Sequence, residues 1–197
     1  ILHNATVITH GYMNAGTTHD TFLRSNLDWM KRAQNWAKFT AIASIGVVHK
    51  GHVKQSKTVL SSYLPSGDAA ASPYIEGGAL YAMGLIHANT GSNDKDTVAY
   101  LKNALATAGQ NAVGNELAQE TVQHGACLGL GLTAMATADA DLYEQFKNVM
   151  FTDSAVAGEA AALSIGLLLL GHGTSNEVSC LAIEELIPYA HETKHEK

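Results

Sequence analysis

Charge is what this sequence has least of. Asp, Glu, Lys and Arg make up only 15% of its 197 residues, against about 25% in an average soluble domain. Little of the chain needs to face water, which suits a segment whose surface is covered by adjoining units or by partners. Lys and Arg number 12 against 18 Asp and Glu, a net charge of −6, so a nucleic-acid backbone finds no basic footprint and no nucleic-acid partner is expected. Cysteine is scarce too. Cys127 and Cys180 sit in apolar helical patterns and form neither a CxxC pair nor a disulfide framework, which implies a reducing intracellular setting in which the sequon Asn4-Ala5-Thr6 carries no meaning. No targeting segment is visible ahead of the first helix. The apolar run 160–171 has 12 residues, where a membrane span needs about 20, so no membrane partner is expected. No stretch alternates with period two, so no strand is expected.

What the chain does have is repetition. Thr40-Ala41-Ile42-Ala43-Ser44-Ile45-Gly46-Val47-Val48 returns three times, as Gly78-Ala79-Leu80-Tyr81-Ala82-Met83-Gly84-Leu85-Ile86, as Gly125-Ala126-Cys127-Leu128-Gly129-Leu130-Gly131-Leu132-Thr133, and as Ala160-Ala161-Ala162-Leu163-Ser164-Ile165-Gly166-Leu167-Leu168. The anchor glycines Gly46, Gly84, Gly131 and Gly166 stand 38, 47 and 35 residues apart, the range of helical-hairpin repeats. Small residues recur six, five and two places before each anchor, and a large aliphatic (Ile45, Met83, Leu130, Ile165) immediately before it. A glycine inside a helix costs about 1 kcal/mol relative to alanine. Placing one at the same position of every copy implies a compensating gain, close backbone approach between neighbouring helices. Each copy therefore reads as an inner helix buried on several sides.

The coarse assignment follows from this register. Residues 6–16 lie on the repeat with Gly11 at the anchor, and Gly16, Gly51 and Gly171 all fall five places after their anchors. Asp20 is placed to N-cap an amphipathic helix over 21–32. Inner helices are expected over 35–50, 74–89, 116–136 and 155–170, and outer helices over 52–64, 94–105, 141–150 and 177–190. Pro65-Ser66-Gly67-Asp68 reads as a turn, and 109–115 as the irregular loop that widens one spacing. The units are approximately 3–34 (degenerate), 35–72, 73–114, 115–153 and 154–197, in a single all-α segment.

Four motifs suggest chemistry. His191-Glu192-Thr193-Lys194-His195 matches HExxH, in which two histidines one turn apart hold zinc and the glutamate activates water. It lies at the end of an outer helix, and no third ligand follows, whereas a catalytic zinc needs three. Gly129-Leu130-Gly131-Leu132-Thr133-Ala134 imitates a dinucleotide fingerprint, but the strand that motif requires is missing and the repeat already explains its glycines. The run 160–171 reads as a buried helix. His49, His87 and His52 are read as helix-end residues that bond the last free carbonyls rather than as a metal cluster. No catalytic, cofactor-binding or metal-binding residue is assigned, and no cofactor is expected.

The small residues around each aliphatic-glycine pair resemble the proteasome/cyclosome repeat family. That family includes the two large scaffold subunits of the proteasome regulatory particle and the largest subunit of the anaphase-promoting complex. The stretches Asn35-Trp36-Ala37-Lys38-Phe39-Thr40-Ala41, Ser44-Ile45-Gly46-Val47-Val48-His49-Lys50-Gly51-His52 and Glu76-Gly77-Gly78-Ala79-Leu80-Tyr81-Ala82-Met83-Gly84-Leu85-Ile86-His87-Ala88-Asn89 are similar to its proteasome members. The resemblance implies an αα-superhelix, HEAT-like, whose repeats close into a toroid of two helix rings. It further implies a non-catalytic scaffold for ubiquitin-dependent degradation, located in cytoplasm and nucleus, whose partners are the ATPase ring, the lid and ubiquitin receptors. Raw repeat faces at the two ends of an open arc favour self-association. The competing readings are a zinc metallopeptidase using His191, Glu192 and His195, and the scaffold of the anaphase-promoting complex.

Overall fold

The computed structural model describes residues 1–64, 72–110, 116–152 and 154–192. Among them every regular element is helical: α1 Leu2–Met13, α2 Thr21–Ser25, α3 Leu27–Met30, α4 Trp36–Val48, α5 Ser56–Leu60, α6 Pro73–Ile86, α7 Lys95–Gln110, α8 Glu116–Thr133, α9 Ala140–Met150, α10 Ala155–Leu168 and α11 Glu177–Glu192. Helices α1, α4, α6, α8 and α10 stack side by side in chain order, with α7 laid on α8 and α9 on α10. The core lies between these two layers, where Leu80, Met83, Leu101, Leu130, Phe146, Ile165 and Leu168 are all buried. No helix among the described residues is long and apolar enough to cross a membrane.

One contact rule generates the stack. Each anchor glycine faces the residue two places before the anchor of the next inner helix. A methyl on Gly46 would lie 2.5 Å from Ala82 Cα, and one on Gly131 2.6 Å from Ser164 Cβ. Gly84 meets the backbone of Gly129, and Gly11 of α1 meets Ser44 with room for an ordinary contact. The small residue two places before each anchor is therefore explained by the preceding helix. Those six places before are explained likewise, since Gly78 lies against the Phe39 carbonyl and Gly125 against that of Gly77. At α10 the rule stops: nothing lies within 4 Å of Gly166.

A second rule closes the C-terminal ends of the inner helices, which would otherwise leave carbonyls without partners. The residue five places after an anchor turns into the left-handed region in every copy, at Gly16, Gly51, Asn89, Ala136 and Gly171. Its N–H then reaches the next inner helix: Gly16 donates to Val47, Asn89 to Leu132 and Ala136 to Leu167, at 2.9 to 3.0 Å, while Gly51 donates to Ile86 at 3.0 Å. Two residues further on, Thr18, Gly91 and Ala138 donate to Val48, Thr133 and Leu168. Histidine adds a third link, for His52 and His172 each donate from Nε2 to the preceding copy's turn, at the carbonyls of Gly16 and Ala136, 3.0 Å in both cases.

The outer layer departs from expectation in its first half. The helix expected over 21–32 is broken into α2 and α3 at Asn26, whose amide donates to the Phe22 carbonyl at 2.8 Å. Asp20 stands at the N-cap position, yet its carboxylate makes no cap bond because Arg24 and His49 hold it. The outer helix expected over 52–64 contracts to a single 3-10 turn, Val53–Gln55, followed by α5. Here the hydroxyls of Ser56 and Ser61 bond carbonyls three residues back, the local competition that makes serine a poor helix-interior residue. The opposite error occurs at α7, which runs to Gln110 into what reads as loop. Residues 111–115 and the turn expected at 65–68 lie outside the described residues.

Candidate functional site

The sequence motifs disperse in three dimensions. His191 and Glu192 sit exposed on the last turn of α11, and His195 lies outside the described residues. Among the described residues no group of three or more His, Cys, Asp or Glu is placed to hold a metal ion. Gly129 and Gly131 are in mid-helix, one against Leu80 and the other against Ser164, so their N–H groups belong to α8 rather than to a phosphate loop. Cys127 is fully buried, and burial pushes its thiol far above the ordinary range, which leaves it unreactive.

The structure does assemble one constellation that no local motif could show. His87, the C-cap of α6, has Nδ1 2.6 Å from Asp94 Oδ2 and Nε2 2.8 Å from Ser56 Oγ. A serine, a histidine and an aspartate in this order imitate a nucleophilic triad. The proton arrangement differs. Ser56 Oγ is also 2.8 Å from the Val53 carbonyl, which can only accept. With the hydroxyl proton spent there, Nε2 donates to Oγ and no base remains to activate the serine. Ser56 and His87 are only 3% and 4% exposed, so a substrate has no approach. The Thr97 N–H and hydroxyl complete the network. Burial acts to raise the Asp94 carboxyl, but these bonds and the His87 ring outweigh it and hold the group below the usual carboxylate range.

His49 is the same residue one copy earlier, three places after its anchor. Its Nε2 lies 2.9 Å from Asp20 Oδ2, which Arg24 also contacts at 2.7 Å. Both histidines are thus C-caps, as helix-end chemistry predicts, but their rings tie to carboxylates of the outer layer and not to the free carbonyls expected. Farther along, Tyr143 and Lys147 of α9 hold Glu185 of α11. These polar groups fasten layers together, each committed to a partner.

Surface chemistry is the other resource of the site. Large apolar side chains stand exposed at both ends of the stack, Tyr12 and Met13 on α1 and Leu163, Leu170, Ile183 and Ile187 on α10, its following turn and α11. An arrangement of this kind holds surfaces in fixed relation.

Comparison with known proteins agrees with the geometry. Residues 78–113 match the proteasome/cyclosome repeat. Over 199 residues and 100% of its length the chain is 51% identical to 26S proteasome non-ATPase regulatory subunit 1 homolog B of Arabidopsis thaliana, covering 18% of that protein. The chain thus carries one matched proteasome/cyclosome repeat and is similar along its whole length to proteasome regulatory subunits. It is also 51% identical over 197 residues to 26S proteasome non-ATPase regulatory subunit 1 of Drosophila melanogaster, with 100% of this chain and 18% of the relative aligned. With 26S proteasome regulatory subunit RPN2 of Saccharomyces cerevisiae it shares 45% over 199 residues, 99% of this chain and 20% of that one. The chain thus spans about a fifth of the length of these relatives. The repeat match takes in the second part of α6, from Gly78, and the whole of α7.

Proposed function

We propose that this chain is part of a non-catalytic scaffold of the proteasome regulatory particle. The observation that carries the reading is the coincidence of two independent facts. Full-length similarity runs to proteasome regulatory subunits and to no peptidase among the relatives named here, and the anchor register of the sequence is realised as a continuous stack of backbone-packed helices. Rigid presentation of partner surfaces is the mechanism. Helices in van der Waals contact through glycine, alanine and serine cannot slide without losing their neighbours' packing.

The division into units at 3–34, 35–72, 73–114, 115–153 and 154–197 belongs to this proposal, as does closure of further units into a toroid. The partners are the other subunits of the regulatory particle, namely the ATPase ring, the lid and ubiquitin receptors, and the location is that of the proteasome in cytoplasm and nucleus. The protein carrying this chain, tagged at native level and isolated gently, is expected to bring down proteasome ATPases and lid subunits in fixed ratio by mass spectrometry. Recovery of anaphase-promoting complex subunits would move the scaffold to that assembly, and stoichiometric zinc with a peptidase activity lost on Glu192→Gln would overturn the reading.

A further inference from the structure

A cavity of about 560 Å³ opens in the outer layer between α2, α3, α4 and α5, within the size range of ligand and peptide pockets. Its floor is apolar, built by Leu23, Ile42, Ile45 and Val59, and its rim carries Arg24, Lys31 and Lys38. Three of the chain's 12 basic residues thus stand around one cavity of a protein with net charge −6. Arg24 is committed to Asp20. Lys31 pairs only with Asp28 at 3.1 Å, in a fully exposed setting where such a pair contributes little and exchanges readily. Lys38 has no ion-pair partner among the described residues.

The repeat register shows what kind of object is missing. Ile45 occupies the place immediately before its anchor and is 8% exposed, whereas its counterparts Met83, Leu130 and Ile165 are at 0 to 1%. Ile42 is likewise 8% exposed where its counterpart Leu80 is at 0%. Inner helices α8 and α10 lie beneath α7 and α9, of 16 and 11 residues, while the outer elements that line the cavity, α2, α3 and α5, have five, four and five. Among the described residues no outer helix longer than five residues borders this cavity.

We infer that the cavity receives an amphipathic, acidic helix of a partner protein. The helix lays an apolar stripe, spaced i, i+3, i+4 and i+7, on Leu23, Ile42, Ile45 and Val59 and sets its carboxylates against Lys31 and Lys38. The partner completes the outer layer where the chain's own helices are short. This extends the scaffold proposal by naming a docking surface, but it does not depend on which assembly the scaffold serves.

The test uses the full-length protein carrying this chain and a fluorescein-labelled 16-residue peptide with leucine at the stripe positions, glutamate elsewhere and one benzoylphenylalanine on the stripe. Fluorescence anisotropy is expected to show saturable binding, weakened about tenfold by the surface double variant Lys31→Glu, Lys38→Glu. Photo-crosslinks are expected at α3 to α5. A matched peptide with lysine for every glutamate is expected not to bind. The inference is overturned if the lysine peptide binds equally, if the double variant changes nothing, or if crosslinks map to the apolar ends at Leu163 or Ile187. It is also overturned if decanoate occupies the cavity while the peptide does not, which would make it a site for small anionic amphiphiles.

Discussion

Gly84 of α6 lies so close to the backbone of Gly129 of α8 that it has no room for a side chain, and a methyl on Gly129 would in turn run into the Leu80 carbonyl. Gly166 has the same place in α10 as Gly84 in α6, but nothing lies within 4 Å of it. The pair supplies an internal control. Gly84→Ala forces the methyl into the Gly129 backbone, and the resulting overpacking costs on the order of 1–3 kcal/mol or more. Gly166→Ala meets no such obstacle and recovers helix propensity, a gain of about 1 kcal/mol. Thermal unfolding of the two variants should therefore move in opposite directions. Equal shifts would mean that the glycines answer to something other than the seam.

Ala136 tests the second rule of the stack. It holds φ 58° at the position that Gly16, Gly51 and Gly171 occupy elsewhere, and an L-residue in this region costs about 1–2 kcal/mol. Ala136→Gly should stabilise the chain by up to about 1 kcal/mol. The reciprocal change Gly51→Ala, at φ 83° with nothing within 4 Å of the added methyl, should destabilise by a similar amount for conformational reasons alone. Chemical denaturation midpoints of the two variants decide the point.

The inner layer was readable because its determinants are local. Close approach demands small residues at fixed places, and those places recur in the sequence whether or not the helices are seen. The outer layer was harder to read because its bounds depend on competition at single residues. The Asn26 amide takes the Phe22 carbonyl, and Ser56 and Ser61 take carbonyls three residues back, choices that an amphipathic pattern does not report. The Ser56, His87 and Asp94 network was invisible for another reason. It joins residues 31 and 7 positions apart through the packing of neighbouring copies. The only sequence trace was the shared position of His49 and His87 after their anchors. Even with all three residues in view, its meaning rests on where one hydroxyl proton goes.

The two histidine networks predict an acid limit. Burial acts to raise Asp20, but hydrogen bonds from Arg24 and His49 outweigh it and leave the group below the usual carboxylate range, as happens at Asp94. A carboxylate with a depressed folded pKa contributes stability that is present above its unfolded value, about 3.9, and lost as pH falls through the folded one. Melting temperature should therefore hold above about pH 5 and fall steeply below pH 4. Asp94→Asn should melt lower than the parent at pH 7, and the gap should close as pH falls through the depressed folded pKa of Asp94. A constant gap across that range would show that the loss is one of packing, not of charge.

Glu76 should behave in the opposite sense. It is half-buried in the first turn of α6, and burial alone pushes its carboxyl above the ordinary range. A raised folded pKa means that the folded state takes up protons more readily than the unfolded chain. The associated stability is fully present below the unfolded value and lost as pH rises through the folded one, so at neutral pH the ionised group opposes folding. Removing the charge while keeping the shape relieves that cost. Glu76→Gln is expected to raise the melting temperature at pH 7 and to lose that advantage near pH 4, where the parent carboxyl is largely protonated. The gap between the two melting curves opens as pH rises past the unfolded value and levels off above the folded pKa of Glu76, and a variant less stable than the parent at pH 7 would show instead that the carboxylate is held by a favourable partner.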